Sequence, residues 1–240
     1  MIPPDGSTIA YCGRNWTVNS PPGAVAITGD KLHAMVKNPM PAAKLDAARN
    51  PVPERAFLTA AGFSAGIGLQ NPTHFTFGLE VPEGPRVTSL WCVLFQLMPF
   101  PDQDPVTKAF IEPWTSPMLE LSLKVFGKAE YLTWITRHEP NAISTNPNAN
   151  YREQGRVPLV RGQHMTWDID LVDSRGSPGG SLKIVRDRGL SSEQVVVNLS
   201  NAPMGFNNLR GAYPSVGVYK DHFNTPGETT DAFIDRFRMS

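Results

Sequence analysis

The strongest constraint on this 240-residue chain is a period-two alternation of apolar and polar residues that recurs along its length, with no helix-length pattern between the runs. Successive side chains of an extended strand point to opposite faces, so such alternation marks a strand buried on one side. The clearest run is His164 to Val172, where Met165, Trp167, Ile169 and Leu171 oppose His164, Thr166, Asp168 and Asp170. Met118 to Phe126 sets Leu119, Leu121, Leu123 and Val125 against Glu120, Ser122 and Lys124. His74 to Val81 sets Phe75, Phe77, Leu79 and Val81 against His74, Thr76 and Glu80. Ser89 to Met98 is apolar on both faces, as a central strand requires. Tyr131 to His138, Ser181 to Arg186, Val195 to Leu199, Tyr213 to Tyr219 and Ala232 to Arg238 complete the set, and Glu54 opens another run. The 23 prolines and 20 glycines are scattered throughout and punctuate these runs. The one helix candidate, Ala42 to Arg49, is short and fenced by Pro41 and Pro51. About nine or ten strands without intervening helices predict an all-β sandwich or jelly roll. No internal repeat or linker divides the chain, so residues 26–240 read as one jelly-roll domain. Residues 1–25, rich in proline and polar residues, read as an N-terminal arm or attachment segment outside it.

Charge narrows the function classes. Lys plus Arg and Asp plus Glu both number 22, so the net charge is zero, which argues against a general nucleic-acid or membrane-surface binder. No apolar run approaches the roughly 18 residues of a membrane-spanning helix. Cys12 lies in a polar segment and Cys92 within an apolar strand, so two free thiols are expected in preference to a disulfide.

Three segments carry candidate chemistry. Glu54-Arg55-Ala56-Phe57-Leu58 opens a strand, Phe95-Gln96-Leu97-Met98 ends a central one, and Tyr213-Pro214-Ser215-Val216-Gly217-Val218-Tyr219 is a late one. In this order they resemble the concanavalin A-like polysaccharide lyases, the alginate-lyase and heparin-lyase-like jelly rolls. Those families carry an Arg-Ser/Thr-Glu-Leu strand, a Gln-x-His strand and a Tyr-x-Lys-x-Gly-x-Tyr strand. Ser116-Pro117-Met118-Leu119, Arg161-Gly162-Gln163 and Ile234-Asp235-Arg236-Phe237 look similar in context, and the resemblance spans residues 50–240.

The resemblance implies a concanavalin A-like jelly-roll β-sandwich whose sheet face holds a uronate polymer. In such a lyase Arg and Gln neutralise the uronate carboxylate, which makes the neighbouring proton more acidic. His or Tyr takes that proton, and Tyr returns one to the leaving oxygen. The match is partial. Arg55, Gln96, Tyr213, Gly217 and Tyr219 are kept, while Phe57 stands for the acidic residue, Met98 for the His and Ser215 for the Lys. A thioether cannot relay a proton and a serine supplies no cation. The first expectation is therefore a glycan-binding groove of Arg55, Gln96, Met98, Tyr213, Ser215 and Tyr219 with incomplete catalytic machinery. The second is an active lyase on an acidic polymer using Tyr219 with Gln96 and Arg55; a histidine entering the groove from another strand, His138, His164 or His222, is a separate route to a base. The third is a purely structural capsid or tail decoration without ligand.

Bland alternatives stand beside these. Gln96 also reads as a core amide, Tyr219 as simple packing and Arg55 as a surface ion-pair residue. Trp91, Trp134 and Trp167 lie in apolar alternations and read as core, while Trp16 and Trp114 lie in loop-like segments and read as candidates for stacking on a sugar. His164, Asp168 and Asp170 share a polar face that could hold a metal but reads first as solvated. Asp102, Asp104 and Glu112 form an acidic loop without the spacing of a calcium site, so no cofactor is expected. The expected partner is an acidic or capsular polysaccharide, with other chains of a larger assembly, or a homo-oligomer, as further partners. The start Met1-Ile2-Pro3-Pro4-Asp5-Gly6 has neither the basic nor the apolar region of a secretory signal. A sugar polymer is met outside the cell, so the expectation is extracellular action by another route, such as a spike or fibre adhesion component of a phage-like particle released by lysis.

Overall fold

A computed structural model describes residues 4–21, 23–37, 54–60, 71–87, 91–113, 115–143, 150–220 and 228–240. The helix candidate at 42–49 lies outside them. In chain order the strands are β1 (Thr8–Tyr11), β2 (Arg14–Asn19), β3 (Val25–Thr28), β4 (Lys31–Lys37), β5 (Glu54–Ala60), β6 (Pro72–Glu80), β7 (Cys92–Pro99), β8 (Leu119–Phe126), β9 (Ala129–Thr136), β10 (His138–Glu139), β11 (Arg152–Pro158), β12 (Met165–Val172), β13 (Gly180–Arg186), β14 (Gln194–Ala202), β15 (Gly205–Phe206), β16 (Ala212–Lys220) and β17 (Thr229–Met239).

Two sheets carry the fold. One has eight strands in the order β1-β2-β5-β16-β7-β8-β9-β11, and the other seven in the order β14-β13-β12-β6-β17-β4-β3. Every pair within them is antiparallel; β10 and β15 add a short parallel pair at the side. This is the concanavalin A-like jelly-roll sandwich. Neighbours in space come from far apart in sequence, so the apolar faces must meet before either sheet is stable.

The inner faces lock through aromatic rings. Trp16, Phe95 and Trp134 of the eight-stranded sheet meet Phe237, Phe75, Phe77 and Trp167 of the other, with edge-on contacts such as Trp16–Phe237 at 5.1 Å and Trp134–Trp167 at 5.3 Å between centroids. Trp134 and Trp167 are core residues, as their alternation predicted. Trp16 is fully buried too, so it is not available to a sugar. Its segment belongs to the sandwich: β1 pairs with β2 and β2 with β5, which places residues 8–19 in the sheet and not in an arm. The turn Cys12-Gly13, with both φ angles positive, joins the two short strands and hides the alternation of Tyr11, Trp16 and Val18.

Charged groups also cross the interior. Lys220 at the end of β16 is fully buried and reaches Glu228 at 3.2 Å and the Thr230 hydroxyl at 3.4 Å. Arg161 grips Glu130 with two bonds of 2.8 Å, and Glu130 also accepts the Val87 amide, tying the connection after β6 to β9. Both cysteines are free; burial pushes the Cys92 thiol up to about 12.

Candidate functional site

Two irregularities shape the outer face of the eight-stranded sheet. On β7 the register with β8 slips between Val93 and Phe95, so Leu94 and Phe95 both enter the core and Gln96 turns outward. On β16 the register with β7 slips between Val216 and Tyr219, around Gly217 at φ +140°. A Cβ on Gly217 would lie 2.1 Å from the Ala56 carbonyl oxygen, so only glycine fits this approach of β16 to β5. Bulges of this kind bend a strand and increase its twist.

The result is a groove of about 890 Å³ whose floor is laid out by the register. One line across the strands runs Thr59, Ser215, Gln96, Glu120, Ile135; a second runs Arg55, Tyr219, Val93, Ser122. Tyr213 sits opposite Met98. Arg55, Gln96, Met98, Tyr213, Ser215 and Tyr219, the six residues singled out in the sequence, all line this one groove. Gln96 is thus on the groove side and not in the core, and Arg55 makes no ion pair among the described residues.

Each group has a defined state. The Arg55 guanidinium lies 5.9 Å from the centre of the Tyr219 ring. Tyr219 is wedged edge-on against Trp91 at 5.0 Å and Phe57 at 5.9 Å. Burial raises the Tyr219 hydroxyl; Arg55 opposes this and the Glu120 charge adds to it. Tyr213 packs on Phe100 at 4.4 Å, and burial pushes its hydroxyl up to about 12. Both phenols therefore stay protonated at neutral pH and act as donors. Ser215, in the place of the lysine, is fully buried and bonds Thr59 Oγ1 at 3.2 Å, while Asn19 donates to the same oxygen at 3.0 Å.

The sequence reading missed the far half of the groove. Arg137, following β9, donates to Glu120 at 2.9 Å and to the Pro117 carbonyl at 3.1 Å, and Ser122 Oγ donates to the same Glu120 carboxylate. Lys124 bonds Glu153 at 2.6 Å and the Tyr151 hydroxyl. Glu120 and Lys124 were visible as the polar side of the β8 alternation; their cross-strand partners were not. Trp91, expected in the core, lies at the groove rim beside Tyr219. Trp114 lies outside the described residues.

No histidine lines the groove among the described residues. His138 lies on β10, and His164 immediately precedes β12 of the seven-stranded sheet, 3.2 Å from Asp235. His222 falls outside the described residues. Asp168 and Asp170 do converge with a histidine, but it is His74 from the neighbouring strand β6, and Arg188 already bridges them at 2.6 and 3.1 Å. The acidic loop's carboxylates are spent on backbone amides: Glu112 accepts the Asp102 amide, Asp104 the amides of Val106 and Thr107, and Asp102 the amide of Leu209 from the segment before β16.

No protein-family model and no curated protein matches the chain. Solved structures do. Alginate lyase A1-II′, a member of polysaccharide lyase family 7, superposes with a TM-score of 0.57 at 11 % identity, over 91 % of this chain and 83 % of that one. An alginate lyase from Pseudomonas aeruginosa gives 0.52 at 14 % identity, over 91 % and 86 %. The fold is that of the family 7 alginate lyases. One variant of A1-II′ that matches, with a TM-score of 0.57 at 10 % identity over 91 % of this chain and 81 % of that one, is in complex with substrate (GGMG). At such identities the alginate-lyase likeness is one of architecture.

Proposed function

We propose that this jelly roll binds an acidic polysaccharide along the groove of its eight-stranded sheet and lacks the base that lyase turnover requires. One observation carries the proposal: Arg55, Gln96, Tyr213 and Tyr219 converge on one groove, and the position facing Tyr213 is Met98. Arg55 offers a permanent cation and a forked donor to a carboxylate. Gln96 offers a donor and an acceptor, and its amide has no hydrogen-bond partner among the described residues. The two tyrosines offer hydroxyl donors and ring edges for a sugar. An unengaged proton acceptor is what the set lacks: the Glu120 carboxylate beside Gln96 already accepts from Arg137 and from Ser122 Oγ. Met98 cannot serve, no histidine lines the groove among the described residues, and burial holds Tyr219 protonated.

A second reading, a slow β-eliminating lyase on a uronate polymer, is favoured by the juxtaposition of Tyr219 with Arg55 and Gln96. There Tyr219 would be base and acid in turn, and its raised hydroxyl suits only the acid half. Polymer binding and cleavage measured side by side decide between the two. The binding reading expects calorimetric binding of a uronate-containing polymer, no gain of the ultraviolet absorbance of an unsaturated product, and weaker binding in Gln96→Ala. Product formation that disappears in Tyr219→Phe would establish the lyase instead.

A further inference from the structure

We infer that Arg156 is a second docking point for a carboxylate of the polymer, outside the groove, so that a long chain is held at both ends of the eight-stranded sheet; the inference rests on the acidic-polysaccharide proposal above. Register carries it. Arg55 pairs with Tyr219, Tyr219 with Val93, Val93 with Ser122, Ser122 with Thr133 and Thr133 with Arg156, one unbroken cross-strand line from β5 to β11. Residues directly opposite one another in antiparallel strands share a face. Arg156 therefore stands on the groove side of the sheet, beyond the groove lining, while its neighbour Val157 is buried in the core.

The two ends of that line are built alike. Arg55 is exposed and lies over the Tyr219 ring at 5.9 Å; Arg156 is exposed and lies over Phe126 at 4.4 Å and Tyr131 at 5.2 Å. Rings hold a guanidinium by its face and leave the N–H fork at its edge unspent, a donor set that matches a carboxylate. Neither guanidinium has an ion pair or a hydrogen bond among the described residues. The cations between them are already engaged: Arg137 bonds Glu120 at 2.9 Å and Lys124 bonds Glu153 at 2.6 Å. Glu153 shares β11 with Arg156, but it accepts from Lys124 and, at 3.0 Å, from the Tyr151 hydroxyl. Arg55 and Arg156 are five strand spacings apart, roughly 24 Å at about 4.8 Å per strand. That exceeds the roughly 8–10 Å over which salt leaves charges unscreened, so each binds its anion independently. A ligand confined to the groove gains nothing from Arg156, whereas one long enough to reach both gains the second contact as an intramolecular step.

The test is calorimetric affinity as a function of chain length at fixed ionic strength. The probes are alginate, glucuronan, hyaluronan and heparosan, followed by size-fractionated oligosaccharides of whichever binds wild type most tightly. Wild-type affinity is expected to step up once the oligosaccharide spans about 24 Å. Arg156→Gln, checked for an unchanged melting temperature, is expected to remove that step: long chains bind about tenfold more weakly, the loss of one charge-assisted contact of about 1.4 kcal/mol, and short oligosaccharides stay within about twofold. Arg156→Glu is expected to weaken long chains further and still spare short ones. Arg55→Gln is expected to weaken both. An Arg156→Gln variant that binds long chains as tightly as wild type, or that loses short and long ligands equally, would overturn the inference. If Arg55→Gln still weakens every length in that case, the groove proposal survives it. If wild type binds none of the four polymers, both fall together.

Discussion

Lys220→Met probes the interior that holds β16, and hence the groove, in place. The lysine is fully buried, its ammonium 3.2 Å from Glu228, itself only 5 % exposed. Methionine fills nearly the same volume, so the loss is electrostatic: the buried Glu228 carboxylate loses the Lys220 ammonium. Removing one partner of a buried pair costs about 3–5 kcal/mol, because the survivor keeps its desolvation penalty. For a chain of this size about 2–4 °C accompanies each kcal/mol, so the melting temperature is expected to fall by roughly 6–20 °C. The double variant Lys220→Met with Glu228→Leu removes both charges and is expected to regain most of that loss, since an apolar replacement of a buried pair is often neutral or better. Chemical denaturation of the three proteins, with the slope checked for two-state behaviour, measures both steps. A single variant that loses less than about 1 kcal/mol, or a double variant no more stable than the single one, would refute the reasoning.

Other outcomes follow from the same geometry. Gly217→Ala drives a Cβ to 2.1 Å from the Ala56 carbonyl oxygen at a φ of +140°; a loss of several kcal/mol is expected, with loss of polymer binding in whatever folds. Tyr219→Phe keeps the ring packing on Trp91 and removes one donor, so polymer affinity should fall by about threefold to tenfold, or about 0.5–1.5 kcal/mol, with an unchanged melting temperature. Asp173 is buried, and desolvation raises its carboxyl from 3.8 to about 6. The folded state therefore holds the proton more tightly than the unfolded chain. Its stabilising contribution is complete below about pH 3.8 and is lost as the pH rises through about 6. That contribution reaches about 3 kcal/mol at about 1.4 kcal/mol per pH unit, and Asp173→Asn should flatten this part of the pH–stability curve. A thiol reagent should titrate Cys12 alone in the native protein and both cysteines in denaturant, because Cys92 is wholly buried.

Much of the fold was legible because a strand with one buried face records that face in every second residue. The run 164–172 became β12 at Met165–Val172, and the run 118–126 became β8 at Leu119–Phe126. Short strands left too few alternations to see, which is why Trp16 on β2 read as a loop tryptophan although it anchors the core. The near half of the groove was legible through the ordered motifs around Arg55, Gln96 and Tyr219. Its far half was not, because Glu120–Arg137 and Lys124–Glu153 are pairings across strands, fixed by register and invisible in spacing. The bulges at Leu94 and Gly217 were hidden for the same reason. A bulge is a relation between two strands, and the sequence of one strand does not contain it.

A crystal structure with a bound uronate-containing oligosaccharide measures the central claim most directly. The account expects the sugar to cross β16, β7 and β8, with a carboxylate between Arg55 and Gln96, the Tyr219 hydroxyl within hydrogen-bond distance, and the chain intact. A ligand lying instead on the outer face of the seven-stranded sheet, beside His74 and Arg188, would contradict it.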